Sequence, residues 1–127
     1  MLLTDTSGVS ITNVRLLDSP GVGIDLSGCK NTVIQGCLIV KASPLLIFSS
    51  GAGIQISAGT GNEVKNTKIA GLDNDRYVFG IGSAPSEGNY FENDYVAHCI
   101  TGIKTSAPDK YRSTTTTDCP IPFTGGN

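Results

Sequence analysis

The chain has 127 residues, one domain's worth, and a net charge of −2, so it offers no basic field to hold a nucleic acid. Charged residues are only 16%; 16 Gly, 13 Thr, 12 Ser and 8 Asn take their place, a mixture that makes turns and β structure rather than long helices. Aromatics are 6% and Trp is absent, so a stacking platform for bases or sugars is thin.

The start, Met1-Leu2-Leu3-Thr4-Asp5, has neither the basic nor the apolar region of a signal peptide. No apolar run approaches the ~20 residues a membrane-spanning helix needs, and no membrane partner is expected. The first short apolar segments carry Ile11 and, five residues on, Leu16. Gly23-Ile24 follows, with Ile34 ten residues after Ile24 and Ile39 five residues after that. The same ten-and-five spacing recurs from Gly53-Ile54 to Val64 and Ile69, and from Gly80-Ile81 to Phe91 and Val96. Gly102-Ile103 is the fourth Gly-Ile pair. Asn13, Asn66 and Asn93 hold one repeat position, and Gly36 takes it in the second coil. No 3.6-residue apolar stripe persists, because Gly interrupts nearly every window of helical length.

Successive Gly-Ile pairs are 30, 27 and 22 residues apart, a period that suits a solenoid with three strands per coil. One such coil cannot bury its own apolar residues. Stacking predicts three interior columns: Ile24, Ile54, Ile81 and Ile103; Ile11, Ile34, Val64 and Phe91; Leu16, Ile39, Ile69 and Val96. The Asn column falls at a turn, where Asn adopts left-handed backbone and lends its amide to the coil above or below. Outside, Thr12, Gln35, Lys65 and Glu92 should stack, setting Lys65 beside Glu92 as a surface ion pair.

Gly-Ile-x-Ile followed by Asn-x-Val-x-Asn-x-x-Ile resembles the right-handed parallel β-helix repeats of the pectin-lyase-like superfamily. Carbohydrate-binding and sugar-hydrolase repeat proteins and phage tailspike bodies are similar in style. The resemblance implies an all-β parallel β-helix of about four coils. The expected division is coils over 1–105 and a capping tail over 106–127. Ten residues after Ile103 stands Ser113, so the repeat is expected to stop there, with Tyr111, Ile121 or Phe123 shielding the last coil. Counting back ten from Ile11 lands on Met1 with no capping helix ahead of it. The expectation is therefore part of a longer β-helix protein or a homo-oligomer.

Function is expected on the variable stretches between the third anchor and the next Gly-Ile, since insertions in a solenoid project on one side and often carry binding. The two long ones are 41–50 and 71–79. Asp73, Asp75, Arg76 and Tyr77 form the densest chemical cluster, with Lys41 on the neighbouring insert. Carboxylates accept hydroxyl hydrogen bonds or bind calcium, Arg76 could pair a uronate, and Tyr77 could stack on a ring. The bland alternative is an Asp-Asn-Asp turn with surface charges.

Calcium is the one cofactor those carboxylates leave open. A zinc site has no support, because no CxxC exists and His98 is the only histidine. A glycosidase needs two facing carboxylates, for which Asp73, Asp75 and Asp94 are the weak candidates. The resemblance implies a Gly-His-Gly motif in polygalacturonate hydrolases; here the sequence is Ala97-His98-Cys99, and His98 reads as a turn residue. Cys37 reads as a free buried thiol, and the even count of 4 Cys permits a Cys99–Cys119 disulfide tying the tail to the body. The expectation is a structural and glycan-recognition module of a larger extracellular or virion-surface protein, facing a polysaccharide or cell-surface glycan. A polysaccharide lyase or hydrolase is the alternative.

Overall fold

A computed structural model describes residues 1–17, 21–41, 51–72, 76–83, 88–105 and 109–125. Among the described residues, sixteen short strands stack in three parallel sheets. The first sheet holds β1 (Leu2–Thr4), β4 (Val22–Ser27), β7 (Ala52–Ser57), β10 (Tyr77–Ser83), β13 (Cys99–Lys104) and β16 (Ile121–Thr124), in that order. The second runs β2 (Ser10–Thr12), β5 (Val33–Gln35), β8 (Glu63–Lys65), β11 (Tyr90–Glu92) and β14 (Lys110–Arg112). The third runs β3 (Arg15–Leu17), β6 (Leu38–Val40), β9 (Lys68–Ala70), β12 (Tyr95–Ala97) and β15 (Thr115–Thr117). The chain is thus an all-β parallel solenoid of about four turns, followed by β14–β16, with no helix among the described residues.

The predicted columns are the ones found. Ile54 pairs with Ile24 and Ile81, and Ile81 with Ile103. Ile34 pairs with Ile11 and Val64, and Val64 with Phe91. Ile39 pairs with Leu16 and Ile69, and Ile69 with Val96. From Ile24 to Ile103 these side chains are fully buried, and each isoleucine contributes about 1.5–3 kcal/mol by leaving water. The Gly of the last three Gly-Ile pairs has a steric cause. A Cβ on Gly80 would lie 2.7 Å from the Gly102 carbonyl oxygen and collide with the Val96 side chain. Gly53 stands in the same relation to the Gly80 carbonyl, at 2.8 Å, and to Ile69.

The short turn between second and third sheets needs left-handed backbone, and Asn13, Asn66 and Asn93 adopt φ of 56°, 50° and 54°, with Gly36 at 65°. The Asn93 Nδ2 donates to Asn66 Oδ1 at 2.7 Å, the stacked amides expected there. A second ladder runs inside the turn between first and second sheets. Thr32 N–H donates to Asn62 Oδ1, Asn62 N–H to Asn89 Oδ1, and Asn89 N–H to Asp109 Oδ1, each at 2.9 Å.

Three expectations are corrected. The repeat does not stop after Ile103: Tyr111 pairs with Phe91, Thr116 with Val96 and Phe123 with Ile103. The step from Ile103 to Tyr111 is eight residues instead of ten, which hides the register, whereas the step of five from Tyr111 to Thr116 is kept. Tyr111 and Phe123 do pack on the core, rings stacked 4.6 Å apart, but Ile121 is 44% exposed. Lys65 lies opposite Glu92 as expected, yet its ion pair is with Glu63 at 3.0 Å, the nearer carboxylate two residues back on the same strand. The four cysteines are free thiols, three of them buried, so Cys99 and Cys119 stand reduced in this structure.

Candidate functional site

Among the described residues, two places collect polar chemistry, one at a corner of the solenoid and one on a sheet face. The first is the corner between third and first sheets, from which both long inserts leave. Lys41 directly follows β6, and Arg76 directly precedes β10. The Lys41 ammonium sits 4.9 Å from the centre of the Tyr77 ring and donates to the Arg76 carbonyl at 3.3 Å. Lys41 is 3% exposed and Tyr77 0%. The structure brings these three together with Tyr77 as a core group and Lys41 as its lid, so the Tyr77 ring offers no open face for a sugar to stack on. Asp73 and Asp75 lie outside the described residues, as do 42–50 of the other insert.

Arg76 reaches instead to Asp118. Its guanidinium donates to the Asp118 carbonyl and, at 2.9 Å, to Asp118 Oδ2, which also contacts His98 Nδ1 at 2.9 Å. His98 and Asp118 are stacked turn residues with φ of 54° and 53°, the turn role expected for His98. Sequence reasoning missed Asp118. The signal was present, because Ala97-His98-Cys99 recurs twenty residues later as Thr117-Asp118-Cys119. Chemically this is a clamp between coils: the Asp118 carboxylate is shared by the Arg76 guanidinium and the His98 ring.

Asp94 is at another corner, between β11 and β12. It is 2% exposed; Oδ1 accepts from Thr67 N–H at 2.9 Å, and Oδ2 has no hydrogen-bond partner. Burial pushes its pKa up to about 7, the Glu92 charge adds to the rise, and the Thr67 donor opposes it. This carboxyl belongs to the interior of a turn, not to a groove wall. Among the described residues no group of three or more His, Cys, Asp or Glu side chains could hold a metal ion.

The second polar place is the outward face of the second sheet. Alternate residues of β8, β11 and β14 point outward there: Glu63 and Lys65, Tyr90 and Glu92, Lys110 and Arg112. An open groove of about 310 Å³ is lined by Asn66, Glu92, Asn93, Arg112 and Ser113. Another, of about 370 Å³, is lined by Gly88, Asn89, Tyr90 and Lys110. The Tyr90 hydroxyl between them donates to Glu92 Oε2 at 2.7 Å. That bond raises the Tyr90 pKa, desolvation adds to it, and Arg112 pulls it down. Amide, carboxylate, guanidinium, hydroxyl and one aromatic ring are thus gathered on a rigid sheet face. The sequence showed Glu92 and Lys65 only as an ordinary outward column; Tyr90, Lys110 and Arg112 joined them once β14 was in register.

Three stacked parallel sheets, with glycine-isoleucine pairs in register along the first and a left-handed asparagine turn, define a β-solenoid. The family described as the right handed beta helix region matches residues 2–122, and the chain belongs to that family. Among curated proteins and among solved structures nothing matches the chain.

Proposed function

We propose that this chain is a glycan-recognition β-helix module of a larger extracellular or virion-surface protein, acting as a long chain's segment or as a homo-oligomer. The observation that carries the reading is the groove formed by Asn66, Glu92, Asn93, Arg112 and Ser113, with Tyr90 beside it. Sugars present alternating hydroxyl donors and acceptors, and this wall offers both kinds in a row fixed by backbone pairing. Its carboxylate and guanidinium suit a hydroxyl pair or a uronate, because Arg binds carboxylates with two parallel bonds. Rigid sheet residues lose little entropy on binding.

A glycan array on the purified chain, followed by calorimetry on the best ligand, tests this. Arg112→Ala should weaken binding about tenfold, the loss of one charge-assisted hydrogen bond. Asn93→Gly keeps the left-handed turn while removing the amide and should weaken binding several-fold. Absence of binding, or binding untouched by both substitutions, overturns the groove. Release of reducing sugar or unsaturated uronate in a parallel assay would replace recognition by the lyase or hydrolase reading.

A further inference from the structure

We propose that Cys99 and Cys119 are a disulfide-forming pair that staples the end strand β16 to the body of the solenoid. The two thiols are placed by register. Ala97 lies opposite Thr117, and Thr101 opposite Ile121, so Cys99 and Cys119 are bracketed as partners on adjacent coils. One residue before them, the His98 and Asp118 side chains touch at 2.9 Å, which fixes the same register at the turn. Neighbouring parallel strands are ~4.8 Å apart, within the ~4.4–6.8 Å Cα separation that a disulfide spans. Both thiols already lean over the same strand: Cys99 Sγ donates to the Ala97 carbonyl at 3.3 Å and Cys119 Sγ to the Val96 carbonyl at 3.9 Å. Burial pushes the Cys99 pKa up, and the neighbouring Cys119 adds to the rise.

Cys29 and Cys37 provide the internal contrast. Both are buried, and their thiols donate to the backbone carbonyls of Leu3 and Ile11 on the coil below. Gly59 and Thr67 stand one coil above at the matching positions, so neither thiol has a sulfur in register.

The chemistry is thiol–disulfide exchange with a small disulfide such as oxidised glutathione. Cys119 is the half-buried member and meets the oxidant first. Its thiolate attacks one glutathione sulfur; the S–S bond breaks, and the departing thiolate takes a proton from solvent. Cys99 then loses its proton to solvent and attacks the Cys119 sulfur, expelling the second glutathione. Two protein thiols are oxidised and one glutathione disulfide is reduced to two thiols. The loop closed in this way contains β14 and β15, which have no coil beyond them in the described residues.

The test uses the whole chain. After treatment with oxidised glutathione, alkylation of remaining thiols under denaturing conditions and mass spectrometry should show loss of two hydrogens. The single cross-link should join the tryptic fragments carrying Cys99 and Cys119, with Cys29 and Cys37 alkylated. Dithiothreitol should reverse it, and oxidation should raise Tm by about 10 °C, an effect absent in Cys119→Ser. A persistent glutathione adduct on Cys119, a cross-link through Cys29 or Cys37, or no change in mass would each overturn the pair. Cys119→Ala serves as the second variant should the serine unfold the chain, since it keeps the site apolar.

Discussion

Asp94 is the residue at which this solenoid departs from its own pattern. In the neighbouring ladder, Asn62 and Asn89 pass hydrogen bonds from coil to coil, and the terminal Asp109 accepts from Asn89 N–H and from Ser83 Oγ at 2.6 Å. Asp94 does the same for Thr67 with one oxygen and leaves the other buried and bare. With the folded pKa raised to about 7 from 3.8, the folded state holds the proton more tightly than the unfolded chain. The favourable contribution is therefore complete below pH ~4 and is lost as pH rises through about 7, a change of up to ~4 kcal/mol. Asp94→Asn removes the charge and keeps the oxygen that serves Thr67. It should leave the denaturation midpoint nearly unchanged at pH 4.5 and raise it at pH 8. A variant whose midpoint follows the wild type across that range would place the pH dependence elsewhere.

At the scale of the element, the turns differ in what they contribute. The outer Asn66–Asn93 pair is exposed, and its main service is the left-handed backbone that Gly supplies equally well. The inner ladder is sealed. Asn62 is fully buried, accepts from Thr32 N–H, and donates through Nδ2 to the Cys29 carbonyl at 3.0 Å. Asn62→Ala leaves the buried Thr32 N–H without its acceptor and takes one of two donors from the Cys29 carbonyl, which Thr60 N–H still serves, and should lower stability by about 1–3 kcal/mol in a urea titration. Asn93→Gly in the same titration should cost less than about 1 kcal/mol. Equal losses would show that the turn backbone, and not the ladder, sets stability.

For the whole molecule, stacking makes stability a sum of coil-on-coil contacts, so the terminal coil protects those beneath it. Removing residues 109–127 strips β14–β16 from β11, β12 and β13. It uncovers Phe91, Val96 and Ile103 and deprives Asn89 of its Asp109 acceptor. The truncated chain should aggregate in static light scattering and melt lower than the full chain. A truncated chain as soluble and as stable as the full one would show that β14–β16 add nothing to the core.

The stacking itself was legible in the sequence, because burial requires the same apolar position in every coil and a spacing of ten and five is visible without coordinates. Ile24, Ile54, Ile81 and Ile103 could be aligned from their preceding glycines alone, and Asn13, Asn66 and Asn93 from the turn they make. Outward chemistry was not legible, because a side chain on the outer face meets partners from other coils and obeys no repeat. Lys65 chose Glu63 over Glu92, and Tyr77 left the ligand cluster for the core under Lys41, on distances of a few ångströms. The eight-residue step to Tyr111 shows the same limit: a turn shortened by two residues breaks a count but not a hydrogen-bonded register. Sequence determined which residues form the interior, since hydrophobic burial is repeated and additive. Only the tertiary structure decided which polar groups meet across coils, since those contacts depend on register and on competition among neighbours.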